Sequence, residues 1–228
     1  MMPSCMLAVD TATEICGVAL VADGRVLSEL ILNRGETHTK SIMAAIDAIL
    51  CINNMNATAV DAYAVTRGPG SFTGLRIGIS TVKGLAMATG KPVVGVSSLE
   101  VLAHQASGQS PLVCPVMDAR RNEVYWSLYE RKGLQVSSIT AEQVGPASEL
   151  ADRIDADCFF IGNAVPLYRS KINSQLKHPA QWANDETNGI RPAVMARLAW
   201  DRLQNGKIEP PQTLTPVYLR KSDAELQR

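Results

Sequence analysis

Short apolar runs closed by turn residues open the chain. Cys5 to Val9 is apolar and ends on Asp10, Thr11 and Thr13; Ile15 to Val21 is apolar and partly β-branched. Ala22-Asp23-Gly24-Arg25 then makes a turn, and Val26 to Leu32 is a further run. Runs bounded in this way predict strands, and the Asp-Gly pair predicts a hairpin, so the chain begins as a β-meander. Thr37 or Thr39 can cap a helix that is expected to reach about Asn53 or Asn54. Its stripe is Ile42, Met43, Ile46, Ile49 and Leu50. Ala44, Ala45, Ala48 and Ile52 fill much of the rest, and Asp47 is the one charge between Ser41 and Asn53. Such a helix is buried on more than one side, as a central core helix or as a subunit interface.

Asp61 to Thr66 reads as a buried strand broken by Arg67-Gly68-Pro69-Gly70. A second helix is expected from about Phe72 to Thr89, carrying Gly74, Gly78 and Gly84. Glycine costs ~1 kcal/mol per helix position relative to alanine, so Gly74 and Gly78 on one face predict another backbone lying against it. Gly90-Lys91-Pro92 ends that helix, Val93 to Val96 is a strand, and Ser97 or Ser98 can cap a third helix through Gln105. Ser107 to Pro111 is the candidate boundary between an N-terminal lobe, residues 1–106, and a smaller C-terminal lobe with an extended tail, residues 107–228. In the second lobe, Leu112 to Met117 and Glu123 to Glu130 read as strands on either side of Asp118-Ala119-Arg120-Arg121-Asn122. Cys158 to Ile161 is a short strand, Gly162-Asn163 turns into a helical stretch, and Arg191 to Asn205 is a last helix. Residues 173–190 read as loop, the tail from Pro210 as extended with little to pack, and no repeat of fixed period is visible.

Composition adds three constraints. The charged share is 19% against 46% hydrophobic, low enough that one apolar face is expected to be covered by another chain. The 22 basic and 22 acidic residues cancel, with 7 and 8 in residues 1–109 and 15 and 14 in residues 110–228. That balance argues against a chain that holds nucleic acid by itself. Five scattered cysteines without a C-x-x-C pair point to buried reduced thiols rather than disulfides or zinc. Asp10 interrupts the N-terminus before a signal core forms, and no apolar run nears the ~18 residues that span a bilayer. The expectation is a cytoplasmic protein with no membrane partner.

Two segments invite a chemical reading. A glycine-rich turn leading into a helix, as at residues 67–76, can offer backbone N–H groups to an anion, or can simply be a tight packing turn. It has neither the Walker spacing nor the dinucleotide G-x-G-x-x-G. Asp10-Thr11-Ala12-Thr13 at a strand end can hold Mg²⁺ through water near a phosphate, or can satisfy its own backbone donors. His38, His104 and His178 lack metal-ligand spacing, and no serine sits in a G-x-S-x-G elbow. Asp118, Arg120 and Glu123 head a hairpin as a structural ion-pair network or an acid/base set.

Four stretches, in order, carry a resemblance: Leu7-Ala-Val-Asp-Thr-Ala-Thr13, Val65-Thr-Arg-Gly-Pro-Gly-Ser-Phe-Thr-Gly-Leu-Arg-Ile-Gly-Ile79, Asp118-Ala-Arg-Arg-Asn-Glu-Val-Tyr125 and Pro216-Val-Tyr-Leu-Arg220. Together they resemble the TsaB (YeaZ) family. Its members are dimerisation subunits of the bacterial machinery that forms N6-threonylcarbamoyladenosine at position 37 of tRNAs reading codons that begin with A. The matching family-motif positions are Asp10, Thr11, Arg67, Gly68, Pro69, Gly70, Ser71, Phe72, Thr73, Arg76, Asp118, Arg120, Glu123 and Tyr125. The resemblance implies an α/β, two-lobed actin-like ATPase (ASKHA, ribonuclease H-like) fold with mixed sheets flanked by helices. It implies a non-catalytic subunit that binds and activates the catalytic subunit TsaD, helps recruit the ATPase TsaE, and reaches tRNA indirectly through the complex.

In that family the first two helices pack on their TsaD equivalents as a four-helix bundle. This makes His38, Ile42, Met43, Ile46, Ile49, Gly74, Gly78, Ile79 and Val82 the expected partner-binding residues, with a homodimer through the same surface when TsaD is absent. No cofactor is expected on the chain alone; ATP and metal belong to the partner subunits, with a nucleotide at a shared interface near Asp10, Gly68 and Gly70 as the one place of contact. TsaD carries a stretch resembling Val-His-His-Met-Glu-Gly-His, whose His-x-x-x-His pair binds metal. Here Ser98 and Leu102 stand at those positions. The alternative is a small actin-superfamily kinase or ATPase, with Asp10 near Mg²⁺ and the 68–74 loop near phosphate.

Overall fold

The computed structural model describes residues 5–220, which contacts divide into two α/β units. The first begins with β1 (Cys5–Asp10), β2 (Cys16–Ala22) and β3 (Arg25–Leu32), an antiparallel meander. Asp23 and Gly24 between β2 and β3 take φ of 49° and 74°, the left-handed pair that a two-residue hairpin of this twist requires. There follow α1 (His38–Ile52), β4 (Ala62–Gly68), α2 (Phe72–Thr89) and β5 (Val93–Ser97). The sheet order is β3-β2-β1-β4-β5, with β1, β4 and β5 parallel. Strand alternation sends Leu7, Val9, Val18 and Leu20 into one core with Ile42, Ile46 and Ile49 of α1 and Ile79 and Val82 of α2.

From α3 (Ser98–Gln105) the chain enters the second unit. There β6 (Leu112–Asp118), β7 (Glu123–Trp126), β8 (Tyr129–Lys132), β9 (Gln135–Ser138) and β10 (Gln143–Pro146) precede α4 (Ala147–Ala151). β11 (Cys158–Ile161), α5 (Val165–Asn173) and β12 (Ala180–Trp182) complete the α/β pattern. The main path is β10-β7-β6-β11-β12, with β8 on β6 and β9 on β8. This repeats the plan of the first sheet: an antiparallel flank, a central strand, and two parallel strands beyond it. β6 takes the part of β1, and each ends on an aspartate, Asp118 and Asp10. The repeat is one of topology, which is why no sequence period announces it.

Several expectations change. The single strand over 123–130 is broken at the buried pair Ser127 and Leu128, where Ser127 Oγ donates to the Thr140 carbonyl and the Leu128 N–H to Thr140 Oγ1. The chain thereby leaves β7 and restarts as β8. Residues 173–190 contain β12, whose Trp182 stacks on Phe160 at 4.5 Å between ring centroids.

The expected contiguous lobe 107–228 is also corrected: the second unit is Leu99–Ile190 with the tail from Tyr218, while Arg191–Val217 belongs to the first unit. The reason is α6 (Pro192–Gln204), which packs on β1, β2 and β5 and buries Met195, Ala196 and Ala199. Glu29 of β3 fixes its start, one carboxylate oxygen accepting the Ala193 N–H at 2.9 Å and the other taking the Arg191 guanidinium. Nor is the tail short of packing. Leu214 lies in the first core at 1% exposure, Lys83 Nζ donates to the carbonyls of Gln212 and Leu214, and the Val217 N–H donates to the Arg67 carbonyl at 2.7 Å. Truncating a fully buried leucine costs about 2–5 kcal/mol. Leu214→Ala is therefore expected to lower stability by that amount in urea unfolding, where an unpacked tail would leave the midpoint unchanged.

Candidate functional site

Asp10 closes β1 with no exposed surface. Its Oδ1 accepts the Thr66 hydroxyl at 2.7 Å and the Ala12 N–H at 3.1 Å, while Oδ2 has no hydrogen-bond partner. Burial outweighs those bonds and pushes its carboxyl up to about 6. The loop after β4 seals the same turn. The Ser71 N–H donates to the Ala12 carbonyl at 2.7 Å, and the Thr11 hydroxyl to the Gly74 carbonyl at 2.8 Å. Ser71 Oγ caps α2 by accepting the Gly74 N–H at 3.2 Å. A Cβ on Gly70 or Gly74 would run into the carbonyl oxygens of Ala12 and Thr11, and one on Gly78 into the Thr11 hydroxyl.

Gly74 and Gly78 thus face this chain's own turn, which corrects their expected place against a partner helix. Close approach is what they supply, but the backbone approaching is Thr11. Arg67 is likewise engaged inside the unit, with Nη1 2.5 Å from Glu209 Oε1, and Gly68 packs on the Val217 carbonyl at φ 122°, a conformation open to glycine. Pro69 is buried, and Arg76 lays its guanidinium 3.8 Å over the Phe72 ring, with Thr73 exposed beside them.

The arrangement does not fit a nucleotide phosphate at Asp10. The carboxylate is enclosed, the Ser71 and Gly74 N–H groups are taken, and carbonyl oxygens line the contact between turn and loop. Such a surface repels an anion. The kinase reading and the shared nucleotide near Asp10, Gly68 and Gly70 both lose their geometric basis in this conformation.

The two helices present a different surface from the one expected. Ile42, Ile46, Ile49, Ile79 and Val82 are 3% exposed or less, spent on the sheet beneath. His38 is buried too, its Nε2 donating to the Thr13 carbonyl at 2.8 Å and fixing the start of α1. Among the expected partner residues Met43 alone is exposed, at 44%. Ala44, Asp47, Cys51 and Ile52 are also exposed on α1, with Ile52 at 73%; on α2 Ser80, Gly84, Met87 and Ala88 are exposed. Nothing stands within 4 Å of where a Gly84 side chain would begin. Within its unit α1 is buried on one side only. The signal for the other side was present: a second apolar row, offset from the isoleucines, that the sheet does not need. Cys51 also departs from the expectation of buried thiols. It is exposed, whereas Cys5, Cys16, Cys114 and Cys158 are buried and burial, aided by Asp61 and Asp23, pushes Cys5 up to about 11.

In the second unit the structure brings Asp118, Arg120 and Glu123 together as a polar network. Asp118 Oδ1 accepts the Arg120 N–H at 2.9 Å and the Tyr168 hydroxyl at 3.3 Å, and Asn163 Oδ1 accepts the Asp118 N–H at 3.1 Å. Burial and the Asp118 carboxylate raise the Tyr168 phenol. Arg220 Nη1 donates to the Ala119 carbonyl at 2.8 Å and Glu123 Oε2 at 2.9 Å; Tyr125 is half-buried on β7. Ser98 and Leu102 are buried at 0% and 1%. Among the described residues no group of three or more His, Cys, Asp or Glu could hold a metal, and no helix is long and apolar enough to cross a membrane.

A family model described as TsaD, tRNA N6-adenosine threonylcarbamoyltransferase, matches residues 25–228. The tRNA threonylcarbamoyladenosine biosynthesis protein TsaB of Bacillus subtilis (strain 168) is 30% identical over 223 residues, covering 96% of each chain. The chain belongs to the TsaB family. YeaZ from Pseudomonas aeruginosa superimposes with a TM-score of 0.81 at 32% identity, covering 95% of this chain and 100% of that one. An inorganic polyphosphate/ATP-glucomannokinase from Arthrobacter sp. strain KM shares the fold alone, with a TM-score of 0.53 at 9% identity over 87% of this chain and 99% of that one. This TsaB-family chain therefore has the actin-like α/β fold that the motif resemblance implied.

Because the folded state raises the Asp10 pKa, the stability that its protonated form provides is full below about 4 and is lost as pH rises through about 6. Asp10→Asn removes that dependence. Wild type and variant are expected to unfold alike near pH 4, with the variant the more stable by roughly 2–3 kcal/mol at pH 7. Parallel urea titrations from pH 4 to 7 check it.

Proposed function

We propose that this chain is a non-catalytic scaffold subunit in the formation of N6-threonylcarbamoyladenosine at position 37 of tRNAs reading codons that begin with A. It binds and activates TsaD, helps recruit TsaE, and works in the cytoplasm. The observation that carries this reading is the outer face of α1 and α2. Met43, Ala44 and Ile52 are exposed on α1, and Met87 and Ala88 are exposed on α2 with a bare Gly84 between its turns, leaving apolar side chains and an open backbone on the helix backs where a second pair of helices can approach. The enclosed Asp10 turn supports a silent subunit, because it leaves no seat for a phosphate beside that carboxylate. Leu102, standing where TsaD carries a metal-binding histidine, supports the same reading, since a leucine side chain has no lone pair to donate. ATP and metal then belong to the partner subunits. A quasi-symmetric face of this kind also pairs two copies when TsaD is absent.

Met43→Asp with Met87→Asp places two charges on that face without touching the core. The double variant is expected to keep its thermal midpoint, lose co-elution with TsaD, and leave tRNA unmodified in a reaction reconstituted with TsaD and TsaE. Undiminished co-elution would sink the assignment. Ile46→Asp is no substitute, since Ile46 is 1% exposed and its replacement unfolds the unit. Cys51 supplies an independent readout: in the native chain one thiol of five reacts rapidly with a thiol reagent, and TsaD slows that reaction.

A further inference from the structure

The tail that follows α6 runs beside α2. Glu209 forms a single antiparallel bridge to Val93 at the free edge of β5, and Leu214 enters the core that Ile79, Val82 and Ala86 of α2 also line. Between them Pro210–Thr213 makes a tight turn, with the Thr213 N–H and hydroxyl both donating to the Pro210 carbonyl at 3.0 Å. Proline at 210 and 211 fixes two of its backbone dihedrals. Half-buried Lys83 of α2 holds the turn in place, its Nζ donating to the Gln212 carbonyl at 3.1 Å and the Leu214 carbonyl at 3.2 Å. Lys83 adjoins Gly84 and stands one helical turn from Met87, so the tail runs along the border of the α2 back. α1 packs on β2 and β3 and α2 on β4; the tail, arriving from β5, continues the same layer on the far side of α2.

The outer side of this strip carries no charge. Ten consecutive residues, Pro210 to Leu219, include no acid or base, although 19% of the chain is charged. Pro210, Gln212, Thr213 and Thr215 among them are exposed. Lys83 and Glu209, at the border of the strip, are engaged inside the unit, the first with the two carbonyls and the second with Arg67 at 2.5 Å. An exposed turn left without charge beside an apolar helix back continues that surface, since the middle of an interface is depleted of charged residues. We propose that Pro210–Thr215 is a third element of the surface that docks TsaD, together with α1 and α2, an inference that rests on the scaffold reading above. What it meets is an uncharged segment of TsaD lying next to the helices that cover Gly84 and Met87. The turn is rigid before contact, so docking has little backbone left to order. Lys83 acts as a positioning residue, holding the turn against α2.

The test titrates the full-length chain with TsaD by calorimetry. Gln212→Asp and Gln212→Lys change an exposed side chain, so both are expected to keep the wild-type thermal midpoint. Each should weaken TsaD binding on the order of tenfold, whichever its sign, because a charge is desolvated without a partner. Lys83→Met keeps the aliphatic stem and frees the turn: amides at 212–215 should exchange faster in the unbound chain, and TsaD affinity should fall. In the wild type, TsaD should slow exchange of those same amides. Leu134→Asp, at the fully exposed turn between β8 and β9, should leave binding as it was. Unchanged affinity in both Gln212 variants, with Met43→Asp and Met87→Asp together still abolishing co-elution, overturns the proposal and leaves the scaffold reading standing. Weakening by one sign and tightening by the other overturns it in favour of long-range charge attraction. Failure of the wild-type chain to bind TsaD at all removes the scaffold reading and this contact with it.

Discussion

The contact between the first turn of the fold and the glycines of α2 sets the terms for the rest of the first unit. Thr11 and Ala12 present carbonyl oxygens and a hydroxyl where Gly70, Gly74 and Gly78 have no side chain, and Ser71 and Thr11 close the contact with hydrogen bonds of 2.7 and 2.8 Å. Once α2 is held that close, Ile79 and Val82 drop onto the sheet and α1 settles beside them through Ile42, Ile46 and Ile49. Both helices then have their inner faces used up. The same contact encloses Asp10, so one packing decision removes a phosphate seat and leaves two helix backs as the available surface.

The topological repeat makes the contrast between the two units informative. β1 and β6 are equivalent central strands, each ending on an aspartate that organises the following turn. In the first unit that turn is covered by the chain's own loop and its aspartate is enclosed. In the second, Asp118 is half-buried and its turn carries two exposed arginines on a left-handed backbone. A shared framework thus ends in an enclosed turn in one unit and a charged, outward-facing one in the other.

Local chemistry made much of this legible beforehand. The Asp23-Gly24 hairpin and the extents of α1 and α2 follow from turn residues and from apolar spacing, and the structure keeps all three within a few residues. What stayed out of reach needs partners to define it. β10, α4 and β12 are three to five residues long, too short to carry a period, and exist because β7, α5 and β11 receive them. The periodicity of α6 says that it has an apolar face but not which sheet the face will cover. Gly74 and Gly78 announced a close backbone without saying whose. Assigning the bulky isoleucines to a partner failed for a related reason: large apolar side chains go first to the chain's own core, and an interface is left with Met43, Ala44 and Gly84.

The central claim is that this TsaB-family chain acts through the outer face of α1 and α2 and not through the turn at Asp10. Amide hydrogen exchange of the full chain, with and without TsaD, tests it most directly. The account predicts added protection within residues 39–52 and 80–88, with residues 10–13 and 68–74 unchanged. Protection concentrated at 10–13 and 68–74, with the two helices unaffected, would contradict it.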